Sequence, residues 1–213
     1  ILLDFFAGSG TSAAAVLQWN AVSPSKWRFI AVQLPEPLDP GSAAASLGLA
    51  SIASLCAERI RRTGTALQSG AMDLQDNPDY GFRYLRSDSG SANPVLRSPD
   101  DLVQASLHEF TDSLKADRTD EDLLFQVLVD WGLDLAEPIA LDEIANSRVL
   151  SVAHDALIAC FGEDIPESAI RAIAERRPLR AVFKDSGFAT DAARINAEQI
   201  FRELSPETEV RAI

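Results

Sequence analysis

Apolar runs and a polar, glycine-containing turn alternate at the start of the chain. One apolar run covers residues 1–3, and a second, nearly continuous one covers residues 27–34. Helix-forming residues 12–19 lie between them, and Thr11 or Ser12 is in position to cap this helix by accepting a backbone N–H hydrogen bond. This order predicts a βαβ unit whose second strand is buried on both faces, as in a parallel sheet.

Helical periodicity returns after three closely spaced prolines. Apolar residues recur at helical spacing and predict a helix over residues 46–63, with Gly64 directly after its end. Arg59, Arg61 and Arg62 then fall in the last turn, where positive charge interacts favourably with the helix dipole. This structural role is the preferred interpretation of the three arginines, and contact with phosphate is the alternative.

The middle of the chain has a less regular pattern. Residues 81–85 have the composition of a strand, residues 87–94 that of a loop or linker, and residues 101–114 that of a helix. We therefore expect two structural parts, with the boundary between residues 88 and 119.

A second α/β pattern occupies the C-terminal part of the chain. Thr119 and Asp122 form a capping-box pattern at the start of a helix that Gly132 ends. His154 and Asp155 form a predicted hairpin turn between two apolar runs. The predicted strands are residues 149–153, 156–161, 179–183 and 209–213, and the predicted helices are residues 166–176 and 191–204.

The composition is that of a globular protein with an uneven distribution of charge. The chain has 213 residues, 46% of them hydrophobic, and a formal net charge of −13. Residues 1–70 hold five basic and four acidic side chains, so residues 71–213 carry a net charge of −14. Because such a surface opposes the approach of nucleic-acid phosphates, we expect this part to serve protein contacts. No apolar run approaches the ~20 residues of a membrane helix. Cys56 and Cys160 lie in separate apolar segments, which favours reduced thiols of a cytoplasmic protein.

The turn between the first strand and the first helix carries the most informative residues. Gly8, Gly10 and Ala13 match a relaxed form of the dinucleotide-binding fingerprint, and Gln33 stands near the expected ribose-binding position. Asp4 changes this picture, because a carboxylate there repels a pyrophosphate and attracts a cation. S-adenosylmethionine carries an ammonium, a sulfonium and a ribose but no phosphate. We therefore expect this cofactor, with an NAD-type oxidoreductase as one alternative and a merely loop-capping Asp4 as another.

Several motifs resemble those of one enzyme family. Residues 4–11 resemble motif I of the amino-methyltransferases that modify exocyclic nitrogens of DNA bases, residues 28–33 resemble their motif II, and residues 57–60 resemble the helix that follows. Other segments resemble the modification subunits of type III restriction–modification systems, namely residues 33–37, 119–124, 131–135, 185–188 and 196–201. The resemblance covers nearly the whole chain. It implies an α/β fold with part of a Rossmann-like S-adenosylmethionine-dependent methyltransferase sheet, followed by a smaller α/β domain.

The resemblance also implies an activity, site-specific methylation of adenine N6 in DNA. In this family the catalytic Asp-Pro-Pro-Tyr motif and the target recognition region precede motif I, and this chain contains no Pro-Pro pair. We therefore assign it no catalytic residue and no metal ligand, and expect it to be the C-terminal part of a longer protein. The residues expected to surround the methionine part of the cofactor, with Gln33 at the ribose hydroxyls, are Asp4, Phe6, Ala7, Gly8, Ser9, Gly10, Thr11 and Gln33.

An organisation and a set of partners follow from the same resemblance. Residues 1–88 are expected to form the S-adenosylmethionine-binding part of the methyltransferase domain, residues 89–118 an irregular linker, and residues 119–213 a C-terminal α/β domain for protein contacts. The expected partners are double-stranded DNA bound through upstream regions, a second copy in a homodimer, and the restriction (helicase–nuclease) subunit. A non-catalytic assembly module is the third interpretation.

Overall fold

The chain divides into two compact units of mixed α/β structure. The computed structural model describes residues 1–70, 79–91, 114–115 and 117–213. The first unit is Ile1–Arg86 and the second is Ser87–Ile213. The helix predicted over residues 101–114 lies outside the described residues except for its last position.

The first unit begins with the predicted βαβ arrangement. Strand β1 (Leu2–Asp4) leads through the glycine turn into helix α1 (Thr11–Val22), and strand β2 (Phe29–Ala31) follows. The strands pair in parallel, with Asp4 opposite Ala31. A short 3-10 helix (Ala45–Leu47) and helix α2 (Ile52–Gly70) complete the regular elements of this unit. The prediction of a strand–helix–strand unit is confirmed.

One face of this small sheet packs against the two helices, and the other face is exposed. Leu17 of α1 and Ile60 of α2 belong to the core beneath the sheet, and Phe29 packs against it. Leu3 and Ile30 are paired across the strands, and each is 52% exposed on the opposite face. The prediction of a second strand buried on both faces is therefore wrong for this chain. An apolar run signals potential burial, and among the described residues only one face has a covering layer.

Helix α2 differs from its predicted limits at both ends. It begins at Ile52, where Ser51 and Ser54 exchange side chain to backbone hydrogen bonds of 2.9 and 3.2 Å across its first turn. It ends at Gly70, so the prediction that it stops before Gly64 is wrong. Gly64 is buried inside the helix, and a Cβ there would lie 2.9 Å from the carbonyl oxygen of Tyr80. This glycine allows a neighbouring segment to approach closely rather than ending the helix.

The segment that packs on α2 is not the strand that its composition predicts. Residues 81–85 have no strand assignment, and they make no ladder within the described part of the chain. Tyr80 and Phe82 nevertheless pack against the core of the first unit. Aromatic residues in this segment serve side-chain packing, which composition does not distinguish from strand formation.

The second unit contains a five-stranded sheet between helical layers. Helix α3 (Asp120–Asp130) starts with the predicted capping box, in which the Thr119 hydroxyl accepts from the Asp122 N–H and the Asp122 carboxylate accepts from the Thr119 N–H. The other elements are β3 (Ile139–Ile144), β4 (Ser147–Val152), β5 (Leu157–Cys160), α4 (Glu167–Glu175), β6 (Arg180–Phe183), a 3-10 helix (Asp185–Gly187), α5 (Asp191–Leu204) and β7 (Glu209–Ala212).

The sheet follows the order of the chain from β3 to β7. Strands β3, β4 and β5 are antiparallel, whereas β5, β6 and β7 are parallel and are connected through α4 and α5. Strand β3 was not predicted. It joins β4 through a two-residue turn at Ala145 and Asn146, whose φ angles of 47° and 64° are those of a type I′ hairpin. The α/β class predicted for this part is confirmed.

Alternating residues of the central strands enter two separate cores. Ile158 and Phe183 face the core formed with α4 and α5. Leu157 and Val182 face the core formed with α3, which includes Leu124. This alternation follows from the two-residue period of a strand, and it explains why the sequence of β5 and β6 is almost continuously apolar.

Both cysteines are buried free thiols. Burial raises the pKa of each thiol, Cys56 in the first unit and Cys160 in the second. In the described ranges, side chains do not assemble into a group of three or more metal ligands. None of the helices in those ranges combines the length and the apolar character that crossing a membrane requires.

Candidate functional site

The glycine turn lies at the carboxyl end of β1, between that strand and α1. Gly8 and Gly10 have φ angles of +55° and +79°, in the left-handed region that favours glycine. A Cβ on Gly10 would lie 2.9 Å from the Cys56 sulfur and 3.0 Å from the Cys56 carbonyl oxygen. Helix α2 therefore packs directly on the turn, and the absence of a side chain at Gly10 permits this approach.

Asp4 connects the end of β1 to both ends of the turn. Its Oδ1 accepts the Phe6 N–H at 3.1 Å, and its Oδ2 accepts the hydroxyl of Ser12 in the first turn of α1. The prediction that Thr11 or Ser12 caps α1 is wrong, because the cap position is Gly10 and no side chain caps it. Ser12 donates to Asp4 instead. Two hydrogen bonds leave acceptor capacity on a carboxylate, which has about four lone-pair sites.

Gln33 reaches the same turn from the segment after β2. Its Oε1 accepts the Gly8 N–H at 2.7 Å, and its Nε2 donates to the Leu34 carbonyl oxygen at 3.2 Å. The parallel register brings this segment to the turn, because the Ala7 N–H also donates to the Val32 carbonyl oxygen. Asp4 and Gln33 thus lie together at the carboxyl ends of neighbouring parallel strands, where open α/β sheets bind ligands.

The remaining predicted site residues differ in exposure. Ala7 and Gly10 are buried, whereas the Phe6 side chain is 89% exposed beside the turn. The hydroxyls of Ser9 and Thr11 lie 3.4 Å apart. All eight predicted residues are therefore gathered at one turn, with an exposed aromatic ring, two hydroxyls, an amide and a carboxylate.

Arg59 also contacts the turn, although sequence analysis gave it a different role. Its Nη1 donates to the Thr11 hydroxyl at 2.9 Å. The preferred interpretation placed Arg59 in the last turn of its helix, which is wrong because α2 continues to Gly70. A helical spacing argument could have found the contact, since Arg59 lies three residues after Cys56, the residue that packs on the turn.

An acidic side chain and an occupied N–H group distinguish this turn from a pyrophosphate-binding turn. Glycine turns bind pyrophosphate through free backbone N–H groups at a helix N-terminus. Here the Gly8 N–H is already taken by Gln33, and the Asp4 carboxylate is hydrogen-bonded to the first turn of α1. The turn therefore presents a carboxylate, an amide and two hydroxyls to a ligand.

Comparison with known proteins supports the resemblance expected from the motifs. No known protein-family model matches the chain. The Mod subunit of the type III restriction-modification enzyme EcoP15I from Escherichia coli is 29% identical over 200 residues, which is 88% of this chain and 28% of that subunit. The Mod subunit of the type III enzyme StyLTI from Salmonella typhimurium is 33% identical over 102 residues, 48% of this chain and 15% of that subunit.

The chain is similar to type III Mod subunits. The recognition made from the motifs is confirmed. The chain spans less than a third of the length of either relative.

Proposed function

We propose that the first unit binds S-adenosylmethionine in a DNA adenine-N6 methyltransferase of the type III Mod kind. The observation that carries this proposal is the Asp4 carboxylate at the end of β1, bonded to the Phe6 N–H and to the Ser12 hydroxyl around a two-glycine turn. Asp4 would bind the ammonium group of the cofactor. The similarity to Mod subunits and the motif I resemblance support the same assignment.

The other residues of the turn have distinct parts in this proposal. The exposed face of Phe6 would cover the apolar part of the cofactor, and the hydroxyls of Ser9 and Thr11 would donate to its amino-acid end. Gln33 retains one amide hydrogen and one lone pair after its two protein contacts, which it would use toward the ribose hydroxyls. Bound S-adenosylmethionine supplies an activated methyl group, and no residue of this chain is assigned to contact the target adenine in DNA. By these assignments the βαβ unit forms part of a Rossmann-like methyltransferase fold, with residues 1–88 as its cofactor-binding part.

Titration calorimetry with S-adenosylmethionine, S-adenosylhomocysteine and NAD tests the cofactor assignment. We expect the two adenosyl amino acids to bind and NAD not to bind. Asp4→Asn should weaken S-adenosylmethionine binding by about tenfold, because a charge-assisted hydrogen bond becomes a neutral one. Asp39→Asn is the matched control, since Asp39 also accepts the N–H of the residue two positions later and is not among the residues assigned to the cofactor. Binding of NAD without S-adenosylmethionine would instead support the oxidoreductase alternative.

A methyl-transfer assay tests the activity of the intact protein. The expected product of duplex DNA and labelled S-adenosylmethionine is N6-methyladenine, identified by nucleoside digestion and mass spectrometry. A methyl group on any other base position would contradict the adenine-N6 assignment, while leaving the cofactor assignment in place.

The second unit is proposed to make the protein contacts of this system in the cytoplasm. Residues 87–213 hold 25 acidic and 12 basic side chains, and this net charge of −13 disfavours phosphate binding. Strands β3 and β7 are the sheet edges, and Leu141 on β3 is 61% exposed. We propose homodimerisation and binding of the restriction subunit through this unit, with DNA bound elsewhere in the protein. Light scattering should show a dimer, and a monomer that does not bind the restriction subunit would contradict the proposal.

A further inference from the structure

Helix α2 carries three arginines within four positions, and they make different contacts. Arg61 and Arg62 both pair with Glu58, at 2.5 and 2.8 Å. The hydrogen bond from Arg62 lowers the pKa of the Glu58 carboxyl most, and the hydrogen bond from Arg61 lowers it further. Arg59 has no carboxylate partner among the described residues, and its Nη1 donates to the Thr11 hydroxyl at 2.9 Å. Two of the three guanidinium groups thus share one carboxylate on the helix surface, and the third is directed to the glycine turn.

The turn is therefore contacted by one negative and one positive side chain. Cys56, which packs on Gly10, is influenced by both charges: burial raises its thiol pKa, the charge of Asp4 adds to the increase, and Arg59 opposes it. Asp4 reaches the turn from β1, and Arg59 reaches it from α2. A ligand at this turn would meet a carboxylate and a guanidinium held by different elements.

We propose that Arg59 binds the α-carboxylate of S-adenosylmethionine, opposite the ammonium group bound by Asp4. This inference rests on the proposed function of the turn. The amino-acid end of the cofactor is a zwitterion, and a site with Asp4 alone would leave its carboxylate without a counter-charge. A guanidinium has five N–H donors, and the contact with Thr11 uses one of them. The other donors remain for a carboxylate, and the Thr11 contact fixes where the guanidinium points.

Arg59 would then set specificity for the intact amino-acid group. Decarboxylated S-adenosylmethionine retains the ammonium and the sulfonium and carries one more net positive charge than the parent cofactor. A site that held Asp4 without a positive partner would prefer this analogue, because opposite charges attract. A site that also holds Arg59 should prefer the parent cofactor. The two arrangements therefore predict preferences of opposite sign.

Calorimetry with three ligands tests this inference on the purified protein in its longest natural form. The ligands are S-adenosylmethionine, its decarboxylated analogue and 5′-methylthioadenosine, which lacks the amino-acid end. The wild-type protein should prefer the parent cofactor over the decarboxylated analogue by about tenfold, as expected for one charge-assisted interaction at a partly exposed site. Arg59→Gln should remove this preference and leave 5′-methylthioadenosine binding unchanged. Arg59→Lys, which keeps the charge, should restore part of it.

Arg61→Gln is the matched control, because Arg61 is exposed on the same helix and Glu58 retains Arg62 as a partner. This variant should keep the wild-type preference. Equal weakening of all three ligands in Arg59→Gln would show that Arg59 acts through the general structure of the turn and would overturn the carboxylate assignment. A wild-type protein that binds the parent cofactor without preferring it would also overturn this assignment alone. Failure of the wild-type protein to bind any adenosyl ligand would overturn the proposed function as well.

Discussion

From the contact between Gly10 and α2 we predict how much unfolding free energy the variant Gly10→Ala should lose. Alanine at a φ angle of +79° costs about 1–2 kcal/mol, because the left-handed region crowds its Cβ. The same Cβ would lie 2.9 Å from the Cys56 sulfur and 3.0 Å from the Cys56 carbonyl oxygen. This overpacking costs about a further 1–3 kcal/mol, because the backbone of α2 has to move to accommodate the added Cβ. The first unit should lose about 2–5 kcal/mol of unfolding free energy in total.

Gly8→Ala separates the two contributions. Gly8 also has a positive φ, of +55°, but the nearest atom to its added Cβ is the Phe6 carbonyl oxygen at 3.8 Å. This variant should lose only the conformational part, about 1–2 kcal/mol. The expected difference of about 1–3 kcal/mol between the two variants measures the packing of α2 on the turn.

The measurement is urea unfolding combined with hydrogen exchange resolved by peptide, because the chain has two units and exchange reports on α1 and α2 separately. Faster exchange should be confined to these helices. In a Cys56→Ala background, which lacks the sulfur, Gly10→Ala should cost less unfolding free energy than it does in the wild-type protein. It should still be destabilising, since the carbonyl oxygen of residue 56 stays in place. Equal stability of the Gly10→Ala and Gly8→Ala proteins would refute the reasoning. Retention of normal S-adenosylmethionine affinity in Gly10→Ala would show that the turn tolerates displacement of α2.

Three further predictions concern the second unit and the thiols. Thr119→Ala should lower the unfolding free energy by about 1 kcal/mol in urea titration through loss of the capping box, and an unchanged midpoint would contradict the role of this cap. Gly187→Ala should destabilise the same unit strongly, because its Cβ would lie 2.5 Å from the Gly162 carbonyl oxygen; Gly90→Ala is the control, with its nearest atom at 3.8 Å. Because burial raises both thiol pKa values, iodoacetamide at pH 7 should modify Cys56 and Cys160 slowly in the folded protein and rapidly in urea. Equal rates in the two conditions would contradict the burial of these thiols.

Local patterns were sufficient for many elements of the fold. The capping box at Thr119 predicted the start of α3 because its hydrogen bonds connect residues three positions apart. The helix limits of α5 were predicted at residues 191 and 204, as observed. Strand β3 was missed, since its residues alternate weakly and its turn at Ala145 and Asn146 lacks the glycine that usually marks a type I′ hairpin.

Sequence analysis alone predicts the βαβ order, the glycine turn, the acidic residue before it and the resemblance to type III Mod subunits. Each of these features depends on residues that are close together in the sequence, so it can be predicted from a single short segment. The folded chain was needed to show that Gln33 bonds to Gly8, that Gly10 accommodates Cys56, and that Arg59 contacts Thr11 rather than ending a helix. Each of these contacts joins residues 25 or more positions apart. Their partners are fixed by strand register and helix packing, which the periodicity of a single segment does not encode.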